Sequence, residues 1–301
     1  MQSSFSTAAR LPAVLPTTAV SDPRPDASDR GWRARLRLEY SSVDGATRVS
    51  RREHSGPLTA QKPLYPEGTA VCHTLILHPP SGIVGGDTLE IDIGVNRAAH
   101  ALITMPGATR WYGSAGATAT QCMNFAVGRE AMLEWLPQET IVYSNAIARM
   151  QTTVNLEAGA RYIGWEILCL GRTASGERFD AGLLRQQTAI RAGDSLLWDE
   201  RARLAGDAAL LRTAAGLGGA PVSATMLVVG VKISSDTMTR CRVLQAADGA
   251  RVGVSAIDTL TVARYVGGST EQARAYFVAL WRELRPLLAG RAAVTPRIWN
   301  T

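Results

Sequence analysis

The sequence predicts an all-β protein whose helices are confined to the last third of the chain. Three observations predict this: apolar and polar residues alternate with period two in many short segments between residues 32 and 170, each segment is bounded by Gly, Pro or Asn, and no 10–15-residue helical pattern falls between them.

Taken in order, residues 1–30 are rich in Ser, Thr, Ala and Pro, and Pro23 and Pro25 close the segment. Such a stretch buries little apolar surface, so a disordered N-terminal tail is expected there and a β-rich domain over 31–301. In 32–40, Trp32, Ala34, Leu36, Leu38 and Tyr40 share one face and Arg33, Arg35, Arg37 and Glu39 the other, the signature of a half-exposed strand. Further strands are predicted at 70–78, 88–95, 101–105, 121–127, 132–135, 140–143, 152–156 and 161–170. Without crossover helices a doubly wound α/β sheet is excluded, leaving a sandwich, a barrel or a solenoid-like stack. No repeat of fixed period is visible. The clearest helix spans 270–284: Ser269 and Gln272 form a capping box, Ala273, Tyr276, Phe277, Leu280, Trp281 and Leu284 make one stripe, and Pro286 is expected to end it. A weaker helix is expected over 236–246, followed by a strand at 260–265.

The chain has 301 residues, 46% of them apolar and 19% charged, the balance of a globular protein. Its net charge is +6, yet no run of five or six basic residues occurs, so an acidic protein partner is expected rather than nucleic acid. Cys72, Cys122, Cys169 and Cys241 are scattered in apolar segments without a C-x-x-C pair and read as reduced thiols. No stretch approaches the 18 apolar residues of a membrane span, and Pro12 and Pro16 interrupt the apolar segment 11–20, which gives the expectation of a cytoplasmic protein.

The densest local signal is the loop His78-Pro79-Pro80-Ser81-Gly82-Ile83-Val84-Gly85-Gly86-Asp87. Its Gly and Pro content demands a tight loop, and Asp87 is its one acid. A phosphate cradle needs a helix directly afterwards, whereas 88–95 alternates like a strand. An Asp tying its own turn is the other local reading. Among His54, His73, His78 and His100 there is no metal-binding tract, and Cys72 and His78, though on one face, stand about 20 Å apart along a strand. Weak oxygen sites for divalent ions remain open. Asp87, Asp180, Asp199 and Glu200 leave open a second reading, a β-solenoid enzyme acting on a carbohydrate or ester through paired carboxylates. No G-x-S-x-G elbow is present, and the adjacent Cys72-His73 points its two side chains apart.

Longer stretches carry a family likeness. Ser55-Gly56-Pro57-Leu58-Thr59 through Tyr65-Pro66-Glu67-Gly68, then Cys72-His73, the 78–87 loop, Thr104-Met105-Pro106-Gly107-Ala108-Thr109-Arg110-Trp111-Tyr112, Leu133-Glu134-Trp135-Leu136-Pro137-Gln138-Glu139, Gly164-Trp165-Glu166-Ile167-Leu168-Cys169-Leu170-Gly171-Arg172, Gly176-Glu177-Arg178-Phe179 and the terminal Pro296-Arg297-Ile298-Trp299 together resemble the urease accessory protein D (UreD, also UreH) family. Ser81 stands where that family usually has glycine, and Gly113 where it often has arginine.

The resemblance implies an elongated, β-helix-like stack of sheets with about two α-helices and no catalysis. It implies a protein required for nickel insertion into urease, with no tightly bound cofactor and only transient nickel(II). Its partners would be the urease structural subunits and the accessory proteins UreF and UreG. Asp87 and Glu200 match acidic positions of a nickel route, with His78, Thr109, Arg110 and Arg201 as further tunnel or loop candidates; Ile298 and Trp299 are interface candidates. Spaced carboxylates suit a transit route, because their oxygens let a divalent ion leave again.

Overall fold

The structure, a computed structural model, describes residues 31–246 and 249–300, so the expected tail at 1–30 lies outside the described residues. The elements run β1 (Arg33–Val43), β2 (Ala46–Ser55), β3 (Thr59–Ala60), β4 (Cys72–Leu77), β5 (Gly82–Ile83), β6 (Thr88–Val95), β7 (His100–Thr104), β8 (Thr109–Trp111), β9 (Ala119–Val127), β10 (Met132–Trp135), β11 (Thr140–Val142), β12 (Ile147–Leu156), β13 (Arg161–Leu170), β14 (Leu183–Ala192), β15 (Ser195–Ala205), β16 (Val222–Val229), α1 (Ser235–Val243), β17 (Arg251–Ile257), β18 (Leu260–Gly267) and α2 (Thr270–Ala289).

The strands form two facing sheets. The first has the order β15-β14-β12-β9-β6-β1-β2; the second runs β17-β18-β16-β13-β10-β7-β4-β3, with β5, β8 and β11 as a side ladder joined to it through β13. The chain winds between them: β6 lies in the first sheet, β7 in the second, β9 in the first, β10 in the second, β12 in the first and β13 in the second. Neighbouring strands are therefore parallel although no helix connects them, because each crossover is made by the opposite sheet. The result is the solenoid-like stack expected. Three successive coils reverse through the same tight turn, closed by Ala99 N→Asn96 O, Ala131 N→Gly128 O and Ala160 N→Glu157 O, with a left-handed residue at Ala98, Glu130 and Gly159. The repeat is thus structural, carried by one buried alanine per turn and invisible as a sequence period. Ser81 also adopts φ +62°, the conformation that glycine would take without strain.

The inward residues of both sheets make one apolar core, including Leu36, Leu38, Ile91, Ile93, Phe125 and Trp135. A second core lies on the other side of the second sheet, where α2 covers Ile163, Trp165 and Ile167 with Phe277, Leu280, Trp281 and Leu284. The Ser269 hydroxyl accepts from Gln272 N, as the capping box predicts. Pro286 does not end the helix, which continues to Ala289 and closes on left-handed Gly290, whose N–H donates to Pro286 O. The lost N–H of Pro286 is offset because the last turn buries Leu288 and is anchored by the fully buried Arg285. No helix among the described residues is long and apolar enough to cross a membrane.

Candidate functional site

Strand register makes the inter-sheet gap a set of rows whose polarity changes along the stack. In the first sheet, Leu36, Ile91, Met123, Thr152, Thr188 and Glu200 align from β1 to β15. The neighbouring row is Ala34, Leu89, Gln121, Met150, Gln186 and Ala202. Both begin apolar and turn polar by β14. Opposite them, Glu166 on β13, Thr225 on β16 and Arg264 on β18 form a polar row of the second sheet. Between the rows lies a cavity of about 50 Å³, lined among others by Thr109, Gln121, Thr152, Glu166, Gln186, Thr188, Glu200 and Thr225. That volume holds a few waters or an ion, well short of the several hundred Å³ of a small-molecule pocket. Gly164 makes room for the Tyr162 side chain that also lines the cavity, since a Cβ there would lie 1.9 Å from the Tyr162 hydroxyl oxygen.

Glu166 is the least compensated charge in this gap. Its carboxylate accepts from the Gln186 amide, and burial pushes its pKa up to about 7, with the Gln186 bond opposing the shift and the negative charge of Glu200 adding to it. Glu200 is held by the Arg264 guanidinium, which also donates to Thr225 Oγ1 at 3.0 Å. No group of three or more His, Cys, Asp or Glu side chains that could cage a metal exists among the described residues.

The expected site residues are not all gathered here. Thr109 and Glu200 line the cavity. Arg201 alternates to the outer face of β15 and pairs with Asp199 at 2.9 Å, and Arg110 alternates away from Thr109 on β8. Asp87 sits at the start of β6, four strands and roughly 20 Å from Glu200. Its carboxylate accepts from Trp32 N at 2.8 Å and Val84 N at 2.9 Å, so it ties the loop to the first strand. Half-buried His78 has its pKa lowered by burial, with the nearby Asp87 charge opposing the shift. Trp299 is half-buried against Trp165 and Trp281, with centroids 5.7 and 6.0 Å away, and donates to Thr104 Oγ1 at 2.8 Å; Ile298 beside it is also half-buried.

Glu166, Gln186 and Arg264 were not among the expected residues. A signal for Glu166 exists: it is the one charged residue inside the strand Arg161–Leu170 after its first position, where both faces are otherwise apolar. Histidines play another part. His73 Nε2 lies 2.7 Å from Glu67 and His100 Nε2 2.7 Å from Glu134, and both carboxylates bind Arg285 beneath α2. A larger hollow of about 520 Å³ lies by Arg178, Asp180 and Arg212; its Glu177 is already engaged by Arg172 and Ser144 N.

Comparison with known proteins gives a consistent result. The family model described as "UreD urease accessory protein" matches residues 32–300. The chain is similar to the protein named "Urease accessory protein UreD" of Dechloromonas aromatica, at 48% identity over 90% of this chain and 95% of the relative. It is similar to the proteins of the same name from Janthinobacterium sp., at 47% over 91% and 94%, and Pseudomonas fluorescens, at 48% over 90% and 95%.

Proposed function

Given that the chain belongs to the UreD family of urease accessory proteins, we propose that it serves urease maturation by letting nickel(II) pass through the polar end of the gap between its sheets. It is an accessory protein and not an enzyme. One observation carries the reading: where the apolar fill of the gap gives way to polar side chains, Glu166 and Glu200 face a common cavity with Thr188, Thr225 and Gln186. Nickel(II) prefers imidazole or thiolate ligands but accepts carboxylate oxygens, and two carboxylates without either hold it loosely enough to release it. Nickel is here a cargo. The partners belonging to the reading are the urease structural subunits, UreF and, through it, UreG, working in the cytoplasm.

Asp87 belongs to the proposal through the loop it ties, with His78 beside it. The test is co-expression with the urease subunits and accessory proteins, followed by measurement of bound accessory protein and nickel per active site. Glu166→Gln combined with Glu200→Gln is expected to leave the complex intact while nickel loading falls well below wild type. Asp87→Ala is expected to lower complex and nickel together, since it leaves two backbone N–H groups without their acceptor. Full nickel loading by the double Gln variant would end the route.

A further inference from the structure

The gap does not close in the same way at its two ends. The first sheet stops at β15, whereas the second continues past β18 to β17, whose Gly253, Ser255 and Ile257 are exposed. Gly253 is the register partner of Arg264, and a Cβ there would meet nothing within 4 Å. Arg264 is therefore the lip of the gap. It reaches across to the other sheet, donates to Glu200 and to Thr225 Oγ1, and lies 5.6 Å from the centre of the Trp198 ring. Behind it stand Thr188, Gln186 and Glu166.

We infer that Arg264 is a swinging gate on this passage: it occupies Glu200 while the cavity is empty and must release it before a divalent cation can sit between Glu200 and Glu166. The inference rests on the route proposed above. Three features support it. The first is charge: two facing carboxylates match one divalent cation, whereas Arg264 satisfies only one of them and repels an approaching cation at the lip. The second is ease of opening. Arg264 is 44% exposed and Glu200 30%, and so exposed a pair is weak, so separation costs a factor of about five or less in equilibrium. The third is that the opened guanidinium returns to water, because the neighbouring face of β17 is uncovered. A purely structural cross-sheet bridge would share the geometry but would not govern how much metal the cavity holds.

The experiment is equilibrium dialysis of the full chain, in complex with its urease partners, against nickel chloride, together with nickel per urease active site. Arg264→Gln is expected to raise nickel retention by the accessory chain up to about fivefold, the gain from an unopposed carboxylate. Adding Glu200→Gln should abolish that gain. Arg264→Lys keeps the charge without the fork that holds Glu200 and Thr225 together, so it should retain about two- to threefold more than wild type; it carries the test if Arg264→Gln does not accumulate. Wild-type retention in Arg264→Gln, or in Arg264→Lys where only that variant accumulates, overturns the gate, as does a gain that survives Glu200→Gln. The route itself fails separately, if Glu166→Gln with Glu200→Gln loads nickel fully.

Discussion

Glu134 and Glu166 stand on adjacent strands of one sheet and face opposite sides of it. Beneath α2, Glu134 accepts from Arg285 Nε and Nη2 at 2.9–3.0 Å and from Trp281 Nε1 at 2.6 Å, with His100 Nε2 2.7 Å away. Burial raises its pKa, but His100 and Arg285 outweigh that cost and hold it down at about 2. Between the sheets, Glu166 has the Gln186 amide in place of a cation, and burial prevails, pushing it to about 7. The pair teaches that a carboxylate serving the fold is saturated with donors from its own chain. Glu166, given one neutral amide and no cation of its own chain, is left undercompensated, as the proposed route requires.

The largest effect is expected at Arg285. Replacing Arg285 with Met leaves Glu134 and Glu67 buried without their cation, and the expected loss is about 3–5 kcal/mol, read as a fall in denaturation midpoint or a failure to accumulate. Glu166→Gln, near-isosteric and still able to pair with Gln186, is expected to cost under about 1 kcal/mol at pH 7 in the same assay. Equal costs would remove the distinction between the two faces.

A smaller effect is expected at the C-terminus, where Trp299→Ala withdraws a half-buried ring from Trp165 and Trp281 and removes the bond that Thr104 Oγ1 accepts, leaving the one it donates to Leu136 O. About 2 kcal/mol of stability should go, along with near-ultraviolet dichroism from the aromatic cluster. Unchanged stability with weakened binding of an accessory partner would instead make Trp299 an interface residue.

The smallest effect sharpens the contrast through pH. The folded-state pKa of Glu166 is raised above its ordinary 4.5, so its favourable contribution is complete below about pH 4.5 and is lost as pH rises through about 7. A Gln there does not titrate. The stability of Glu166→Gln relative to wild type should therefore grow by about 1–2 kcal/mol between pH 5 and pH 8, measured by urea denaturation at both. Glu134 has the opposite sign, its contribution being present above 4.5 and lost as pH falls towards about 2. A flat difference for Glu166→Gln would show that cavity water already screens the charge.

Much of the architecture was legible because alternation and turn residues act locally. The strands at 88–95, 132–135 and 161–170 coincide with the structure, and the Ser269 cap starts α2 where the capping box places it. β14 and β15 escaped the same reading, because their inward positions carry Gln186, Thr188 and Glu200 where a core strand shows apolar residues. The feature that hid these strands is the one that makes this end of the gap polar. Asp87 could be read as tying its own turn from its place after Gly85-Gly86, whereas its second tie, to Trp32 N, needed β1 beside β6.

By itself the sequence determined that the chain is built from short strands, that its long helices come late, and, through ordered motifs, which family it resembles. These follow from neighbours within a few residues. Only the tertiary structure decided that Glu166 meets Gln186, that Glu200 meets Arg264 across 64 positions, and that Glu134 meets Arg285 across 151. The physical reason is that a carboxylate's charge state depends on what surrounds it within a few ångströms. In this stack those neighbours come from other strands, brought into register by backbone hydrogen bonds that carry no trace of side-chain identity, or, for Arg285, from a helix packed across the sheet.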